Sequence, residues 1–442
     1  MRFIQTIKNI FKIEDLRARL IYTFTIILLY RLGKYVSLPG VDPAQLSGLQ
    51  DQTSSGIMGL LDMFSGGAFS QASVFALGIM PYISASIVVQ LLGIVFPYFQ
   101  KLQKEGESGR RKMNQYTRYL TVGILILQAP TYLVNLHNTL DPSAFVISGT
   151  FFTVSSVIIL TAGTMFVMWL GERITDKGIG NGISLIIMIG IIARLPQNFL
   201  FELGLRMNGA GGLVAMIVEI VFLFVVVLGT ILLVQGTRRV PVQYARRIVG
   251  NKQYGGVRQY IPLKVNAAGV MPIIFAQAIM MLPIIIAGYA ESSSGFMVAF
   301  GDMYGFWYNL VTAILIILFT YFYTAITINP VQMAEDMKKN GGFIPGIKPG
   351  RKTVEFFDTI MSRITLPGSF FLAIVAILPA VAVQAGISPQ FAQFYGGTSL
   401  LILVGVILDT LQQIESHLLM RHYDGLMKSG RVKGRTGSVT AI

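Results

Sequence analysis

Few side chains in this sequence have the type and spacing needed for covalent or metal chemistry. The 442 residues include no cysteine and three histidines, His137, His417 and His422. Disulfides and thiolate metal sites are therefore excluded, and three histidines argue against a His-ligated metal cluster. The sequence also lacks the H-E-x-x-H, G-x-S-x-G and G-x-x-x-x-G-K-[ST] motifs of metalloproteases, hydrolases and P-loop ATPases. We therefore predict a protein that is not an enzyme, with no catalytic residue, cofactor or metal site.

Two acidic residues, Glu219 and Asp409, fall within long apolar stretches. An ionisable residue at membrane depth is a candidate functional group by default, because its burial in lipid is costly. Each lies near one end of its stretch, so we favour a structural role for both. A proton-coupled transporter needs several acids or histidines within its spans, so the scarcity of acids argues against this class.

The apolar stretches indicate a membrane protein. Hydrophobic residues make up 53% of the chain and charged residues 13%, whereas soluble domains carry about 25% charged residues. Nine stretches reach the length of about 20 residues that a spanning helix needs; they begin near Leu20, Val74, Thr117, Phe151, Gly212, Ala267, Tyr308, Thr365 and Thr398. A tenth begins at Gly182 but loses its apolar character at Arg194, and its length alone suggests a buried or re-entrant piece.

Positive charge favours counting the tenth stretch as a span, because cytoplasmic loops carry most Lys and Arg. With ten spans, 31 of the 35 Lys and Arg residues fall on one side, together with both termini. Without it, the 235–264 loop and its seven positive charges would face outward. The other four cations are Arg31, Lys34, Arg194 and Arg206; the first two lie where long side chains can extend to the membrane surface.

A short repeat suggests that the ten helices form two halves. The second span contains ALGIMP (76–81) and the seventh contains AAGVMP (267–272), at corresponding places in helices 1–5 and 6–10. These two spans cross the membrane in opposite directions, as expected of inverted repeats. Gly and Pro are common in membrane helices, so on six residues alone chance resemblance is an equal alternative.

The segment GLLDMFSGGAFS (59–70) is half apolar but too short to span. It follows an outer loop without Lys or Arg and precedes the second span. Irregular backbone at membrane depth is tolerated only where it lines a cavity. Length, charge and position therefore predict a re-entrant segment inside a channel mouth. The same topology makes residues 195–211 an outer loop.

Two long loops on the cytoplasmic side, 235–264 and 329–364, are rich in basic residues. In the first, the basic residues alternate with Tyr244, Tyr254 and Tyr260. This mixture suits an acidic or RNA-bearing partner, although ordinary inside loops carry positive charge for topology alone. Connections of this length are uncommon unless they are functional, so we predict a docking surface.

Five motifs together resemble the SecY family, the channel subunit of the bacterial protein translocon. They are MFSGGAFSQASVFALGIMPYISASIVVQLL, KEGESGRRKMNQYTRYLT, MWLGERITDKGIGNGIS, PLKVNAAGVMPIIFA and IPGIKPG, in this order along nearly the whole chain. The resemblance implies an all-α polytopic membrane protein with ten transmembrane helices in two inverted five-helix halves and a short re-entrant plug helix. The implied division is 1–19, a cytoplasmic amphipathic N-terminus; 20–201, the N-terminal half with the plug at about 57–70; 202–416, the C-terminal half with both docking loops; and 417–442, a cytoplasmic tail.

The resemblance also implies roles for particular residues. A ring of apolar side chains closes the pore, and the matching residues are Ile79, Ile83, Ile183, Ile187, Ile274 and Ile402. The plug and its loose hinge correspond to Leu61, Asp62, Met63, Phe64, Ser65, Gly66 and Gly67. A polar group at the lateral gate corresponds to Gln90, Thr121 and Asn266. Docking of the ribosome and the motor corresponds to Arg246, Arg247, Lys252, Lys348 and Arg351, although the family often has Arg where this chain has Lys348.

A member of this family would be a passive channel of the bacterial plasma membrane that secretes unfolded polypeptides and releases membrane helices sideways. The expected partners are SecE-like and SecG-like membrane subunits, the SecA motor ATPase, the ribosome, preproteins with signal sequences, and membrane lipids. Two alternatives are an inverted-repeat secondary transporter and an intramembrane enzyme. A transporter needs polar groups at the midplane, and an enzyme needs a nucleophile–base pair or a metal set within the spans.

Overall fold

The computed structural model is mostly helical. It describes residues 13–46, 48–49, 56–147, 149–209, 212–244, 247–249, 252–254, 258–277, 279–280 and 303–428. The helices are α1 (Glu14–Gly33), α2 (Gly56–Phe64), α3 (Met80–Val95), α4 (Pro97–Lys104), α5 (Glu107–Thr139), α6 (Thr150–Lys177), α7 (Gly182–Ile192), α8 (Leu195–Met207), α9 (Gly212–Gln235), α10 (Phe306–Thr327), α11 (Pro330–Lys339), α12 (Arg351–Gln384), α13 (Pro389–Ala392) and α14 (Gly397–Lys428). Residues 271–277 are also helical.

Most of the ten predicted spans are visible as helices. Within the described part of the chain, 7 spans are long and apolar enough to cross a membrane, with α7 and α8 counted as one and α10 and α11 as another. The pair α3 and α4, bent by 102°, makes an eighth. The other two are α1, whose 20 residues include Arg17, Arg19 and Arg31, and the seventh span, of which only the beginning is described.

The second span begins with turns, so the prediction that it starts as a helix at Val74 is wrong. Helix α3 starts at Met80, two residues after Gly78, whose φ is +55°. The seventh span repeats this geometry, because Gly269 has φ +62° and the helix starts at Met271. Glycine adopts positive φ without strain. The six-residue repeat therefore produces the same local backbone in both halves.

The fifth span is longer than its apolar run, so the prediction of an outer loop at 195–211 is wrong. Helix α8 continues from α7 to Met207, and Glu202 and Arg206 are buried within it. Hydropathy misses this helix because its charged residues are paired in the interior. The predicted boundary between the halves, at 201/202, falls inside α8. The predicted tail also begins as helix, because α14 extends to Lys428.

The two basic loops that were predicted to be cytoplasmic meet in one three-stranded sheet, which was not predicted. The strands are β1 (Thr237–Tyr244), β2 (Arg247–Val249), β3 (Lys252–Tyr254), β4 (Arg258–Lys264) and β5 (Gly342–Phe343). β1 pairs antiparallel with β4 on one side and β5 on the other, and β2 pairs with β3 as a separate ribbon. Val240 and Val242 of β1 pack with Phe357 of α12 in one buried cluster. We call this unit the cytoplasmic platform, after the predicted location of its loops.

Candidate functional site

Helix α2, the predicted plug, is followed by a tight, buried turn at residues 65–70. The Gly67 N–H donates to the Asp62 carbonyl at 2.7 Å. Gly66 has φ +67°, and a Cβ at this position would lie 2.9 Å from Gly190 Cα on α7, so the contact requires glycine. The segment predicted to be a loose hinge is therefore a closely packed, hydrogen-bonded turn.

Asp62 is the buried anion of this turn. Its side chain is fully inaccessible, and Oδ1 accepts the Ser70 N–H at 2.8 Å. Oδ2 forms an ion pair with Arg194 Nη2, and Arg194 also donates to Ser70 Oγ at 3.3 Å. A buried charge is stable only when it is paired and hydrogen-bonded. The pair therefore ties the end of α2 to the junction of α7 and α8.

Two further cations at the end of α1 lie against the same turn. Arg31 Nη1 donates to the Gly66 carbonyl at 3.1 Å. Lys34 Nζ is so close to Gly67 that a Cβ there would lie 2.6 Å from it. Lys34 follows the last residue of α1, and burial together with the charges of Arg31 and Arg194 lowers its ammonium pKa to about 8. Both side chains contact the turn, although their position at the end of the first span would also allow them to extend to the membrane surface.

Of the four cations predicted to lie on the outer side, Arg31, Arg194 and Arg206 form hydrogen bonds or ion pairs, and Lys34 lies against the 65–70 turn. Arg31, Lys34 and Arg194 surround the 65–70 turn. Arg206 belongs to a second buried ion cluster on α8 and α9. Positive charge is disfavoured in outer segments, so these exceptions were the signal in the sequence that could have identified functional residues.

Other residues of the plug contact helices from both halves. Tyr30 OH on α1 donates to the Ser65 carbonyl at 3.1 Å. Leu61 packs on an apolar cluster that includes α5 and α6. Ser399 Oγ on α14 donates to Met63 Sδ at 3.5 Å. The plug is therefore held by elements that are distant in the sequence, and neither Tyr30 nor Ser399 was predicted.

Five of the six predicted ring isoleucines share one apolar cluster with the plug. The cluster has as buried members Ile79, Ile187, Ile402, Met63 and Phe64, and Ile83 and Ile183 pack against it. Ile274, early in the seventh helix, is half-buried and is not among the described members of the cluster. An apolar constriction excludes ions by remaining dry. The plug and the ring thus form a continuous apolar region.

Among the described residues, no hydrogen bond joins the three polar residues predicted for the lateral gate to one another. Gln90 Oε1 on α3 accepts a hydrogen bond from Tyr323 OH on α10 at 3.4 Å. Thr121 donates to the Thr117 carbonyl of its own helix at 2.7 Å. Asn266 Oδ1 is buried without a hydrogen bond to a described residue. Gln90 therefore bridges the second and eighth spans, and its partner Tyr323 was not predicted.

Removing the Tyr323 hydroxyl should weaken the contact between the second and eighth spans, which we call the seam. A hydrogen bond between membrane helices contributes about 0.6–2 kcal/mol, so Tyr323→Phe should favour the open seam by about three- to thirtyfold. Export of a reporter with a weakened signal sequence measures the effect. Tyr321→Phe, two positions earlier on the same helix, is the matched control. Equal export by the two variants would contradict a role for this contact.

Four of the five predicted docking residues lie on the cytoplasmic platform or beside it. Lys348 is exposed in the turn before α12, and Arg351 begins α12 with a side chain that is 93% exposed. Arg247 and Lys252 lie on the two strands of the β2–β3 ribbon, and Arg246 lies outside the described residues. Because β1 pairs with β5, the two predicted docking loops belong to one folded surface.

Comparison with known proteins relates this arrangement to one family. The sequence profile of the SecY family matches residues 73–411, more than half of the chain. This chain belongs to the SecY family. Protein translocase subunit SecY of Corynebacterium glutamicum is 44% identical over 438 residues, which cover 95% of this chain and 98% of that protein. The subunit of the same name from Mycobacterium tuberculosis is 42% identical over 448 residues, covering 96% and 99%.

Solved structures share the fold at low sequence identity. A structure described as a protein conducting channel has a TM-score of 0.59 and 17% identity, covering 90% of this chain and 92% of its own. A second, described in terms of a SecY plug domain that stabilises the closed state, has a TM-score of 0.57 and 16% identity with the same coverage. The predicted fold, ten helices in two inverted halves with a plug, is therefore confirmed.

Membership of the SecY family also decides between the function classes. The chain is a multi-pass membrane protein and a channel-forming translocase subunit. The prediction of a protein-conducting channel is confirmed, and the alternatives of an inverted-repeat transporter and an intramembrane enzyme are not supported.

Proposed function

We propose that this chain is the pore-forming subunit of a Sec translocon, closed by α2 and by the ring isoleucines. The observation that carries the proposal is the apolar cluster that joins Met63 and Phe64 of α2 to Ile79, Ile187 and Ile402. Branched aliphatic side chains exclude water but form no strong hydrogen bonds with a passing polypeptide. A conduit that is indifferent to the sequence of its substrate needs this combination.

In the proposed cycle, an entering polypeptide displaces the plug and occupies the ring. Apolar contacts of Met63 and Phe64 are then exchanged for contacts with the substrate, so little apolar surface meets water during the exchange. The Asp62–Arg194 ion pair fixes the position to which the plug returns. Leu61 to Gly67 are the plug and its connection in this proposal, and Ile274 completes the ring from the seventh helix.

Lateral exit is proposed at the seam between the second and eighth spans. The Gln90–Tyr323 contact bridges it, and Thr121 and Asn266 supply further polar groups from the third and seventh spans. A few such hydrogen bonds are strong enough to keep a seam closed and weak enough to release a membrane helix.

The energy for transport comes from outside the chain in this proposal, because the sequence has no ATP-binding motif. A SecA motor or a translating ribosome would bind the cytoplasmic platform through Arg246, Arg247, Lys252, Lys348 and Arg351. SecE-like and SecG-like membrane subunits would brace the two halves, with signal-bearing preproteins as substrates and lipids around the bundle. The charge distribution supports a plasma-membrane location with both termini in the cytoplasm.

Reconstitution tests the function directly. The chain, assembled with SecE-like and SecG-like subunits in proteoliposomes, should move an unfolded preprotein into the lumen when SecA and ATP are supplied. Protection of the preprotein from added protease measures transport, and a preprotein without its signal sequence is the control. Solute uptake driven by an ion gradient, without preprotein transport, would favour the transporter class instead.

Charge reversal at Arg246 and Arg247, of which Arg247 begins β2, should weaken docking. Each exposed ion pair contributes about 0.2–1 kcal/mol, and reversal replaces attraction with repulsion, so Arg246→Glu/Arg247→Glu should reduce SecA or ribosome affinity about tenfold. Binding to the reconstituted complex at low and moderate salt measures the change, because salt screens exposed charges. Arg238→Glu/Arg239→Glu, at the start of β1, makes the same change in charge elsewhere on the platform. If both variants bind with the same affinity as the parent, the basic residues of these loops serve only to set the membrane topology.

A further inference from the structure

A buried ion triad lies at the outer end of the link between the two halves. It consists of Glu202 and Arg206 on α8 and Glu219 on α9, and we call these three residues the outer triad. Arg206 Nε lies 3.1 Å from Glu202 Oε1, and Arg206 Nη2 lies 2.5 Å from Glu219 Oε1. All three residues are buried, with 1%, 9% and 6% exposure respectively. The triad closes the short connection between α8 and α9, the last helix of one half and the first of the other.

The outer triad also forms hydrogen bonds with the segment that leads into α14. Arg206 Nη2 donates to the Gly386 carbonyl at 2.8 Å, and Glu202 Oε2 accepts the Ser388 N–H at 3.1 Å. On α9, the carbonyl of Glu219 accepts the Tyr395 hydroxyl at 3.0 Å. Charged groups buried at this depth are stable only when they are paired and hydrogen-bonded. Three separate elements are therefore fixed relative to one another at one point.

This segment, residues 386–399, is where the plug rests. Phe391 and Tyr395 are buried in the same apolar cluster as Met63 of α2. At the end of the segment, Ser399 Oγ contacts Met63 Sδ. We call residues 386–399 the plug seat. Two successive contacts thus connect the outer triad to the plug, first through the seat backbone and then through the seat side chains.

We propose that the outer triad is a positioning group that holds the plug seat in register with the N-terminal half, so that the closed channel depends on it. The proposal rests on the proposed function of α2 as a plug. Buried ionic groups can specify one arrangement among several similar apolar packings, because their partners are directional. Apolar contacts alone would let the plug seat shift along α8 with little change in free energy. The ion pairs and hydrogen bonds of the outer triad form in only one position of the plug seat. They also account for Arg206 in a segment where positive charge is otherwise avoided.

Plug displacement can be measured through a single cysteine. The chain has no cysteine, so Met63→Cys introduces one thiol at a side chain that is 1% exposed when the plug is seated. Its alkylation rate by a membrane-impermeant maleimide, in the assembled complex without preprotein, reports the population of displaced plug. Arg206→Gln or Glu219→Gln in this background should accelerate alkylation about tenfold. Tyr395→Phe, which removes only the hydroxyl bond to α9, should cause a smaller acceleration and covers the case in which a triad variant fails to fold.

Arg111→Gln is the matched control, because Arg111 also pairs with a glutamate four positions earlier, but on an exposed cytoplasmic surface. The triad proposal is wrong if the triad variants and Tyr395→Phe are alkylated at the parent rate while Arg194→Gln accelerates alkylation. That outcome would leave the plug assignment intact. Rapid alkylation of Met63→Cys in the parent would overturn the plug assignment itself and this inference with it.

Discussion

Replacing Arg194 with glutamine should make the substrate-free channel leak ions. The change strands the fully buried Asp62 carboxylate, whose ion-pair partner is the Arg194 guanidinium. Removing one member of a buried ion pair costs about 3–5 kcal/mol, which corresponds to about two to four orders of magnitude in the population of displaced plug. Ion conductance of the assembled complex in planar bilayers, without preprotein, measures the leak.

Three variants make this result specific. Arg194→Lys retains the charge and should leak much less than Arg194→Gln. Asp62→Asn in the Arg194→Gln background removes the stranded charge and should recover most of the seal, as a double-mutant cycle requires of an interacting pair. Arg111→Gln, at a 78% exposed side chain, should conduct like the parent. A double variant that leaks as much as Arg194→Gln would contradict the ion-pair latch.

Serine at both Ile83 and Ile187 should also produce a leak, through wetting of the ring. Ile187 is buried in the plug cluster and Ile83 packs against it. Each change removes apolar groups with a burial free energy of about 2 kcal/mol, which corresponds to about a thirtyfold larger wetted population per position. Conductance should therefore rise by at least about an order of magnitude, again in planar bilayers without preprotein.

The control for the ring is the same substitution on the outside of the bundle. Ile158 and Ile217 are 63% and 52% exposed, and serine there makes the same chemical change away from the pore. Ile187→Val preserves an apolar ring and should keep the seal. If the two ring serines leave conductance at the parent level, the assignment of these isoleucines to the pore is wrong.

The sequence predicts the structure best where one residue type at one spacing has a local consequence. The ALGIMP and AAGVMP segments both place glycine at positive φ two residues before a helix. Reasoning from hydropathy was weakest at α8, where Glu202 and Arg206 lower the apolar content of a helix that is nonetheless buried. Hydropathy assigns a charge to water, whereas a paired charge can be buried.

The cytoplasmic platform shows a similar division. The abundance of Lys and Arg placed both loops on one side of the membrane, and their length suggested a role beyond connection. The pairing of the two loops in one sheet was not predictable, because β5 is only two residues long. It pairs with Gln243 and Tyr244, which are distant in the sequence. A strand so short has no periodicity to detect. The platform is recognisable only when its hydrogen bonds are seen.

The sequence by itself determined the class of the protein and its ten spans, and it predicts the side on which the charged loops lie. These properties follow from the thickness of the bilayer and from the cost of charge within it, which act on each stretch of chain separately. The tertiary structure decided which of the four outer cations meets which anion: Arg194 with Asp62, and Arg206 with Glu202 and Glu219. A buried charge must find a counter-ion, and only the packing of distant helices determines which one is within reach.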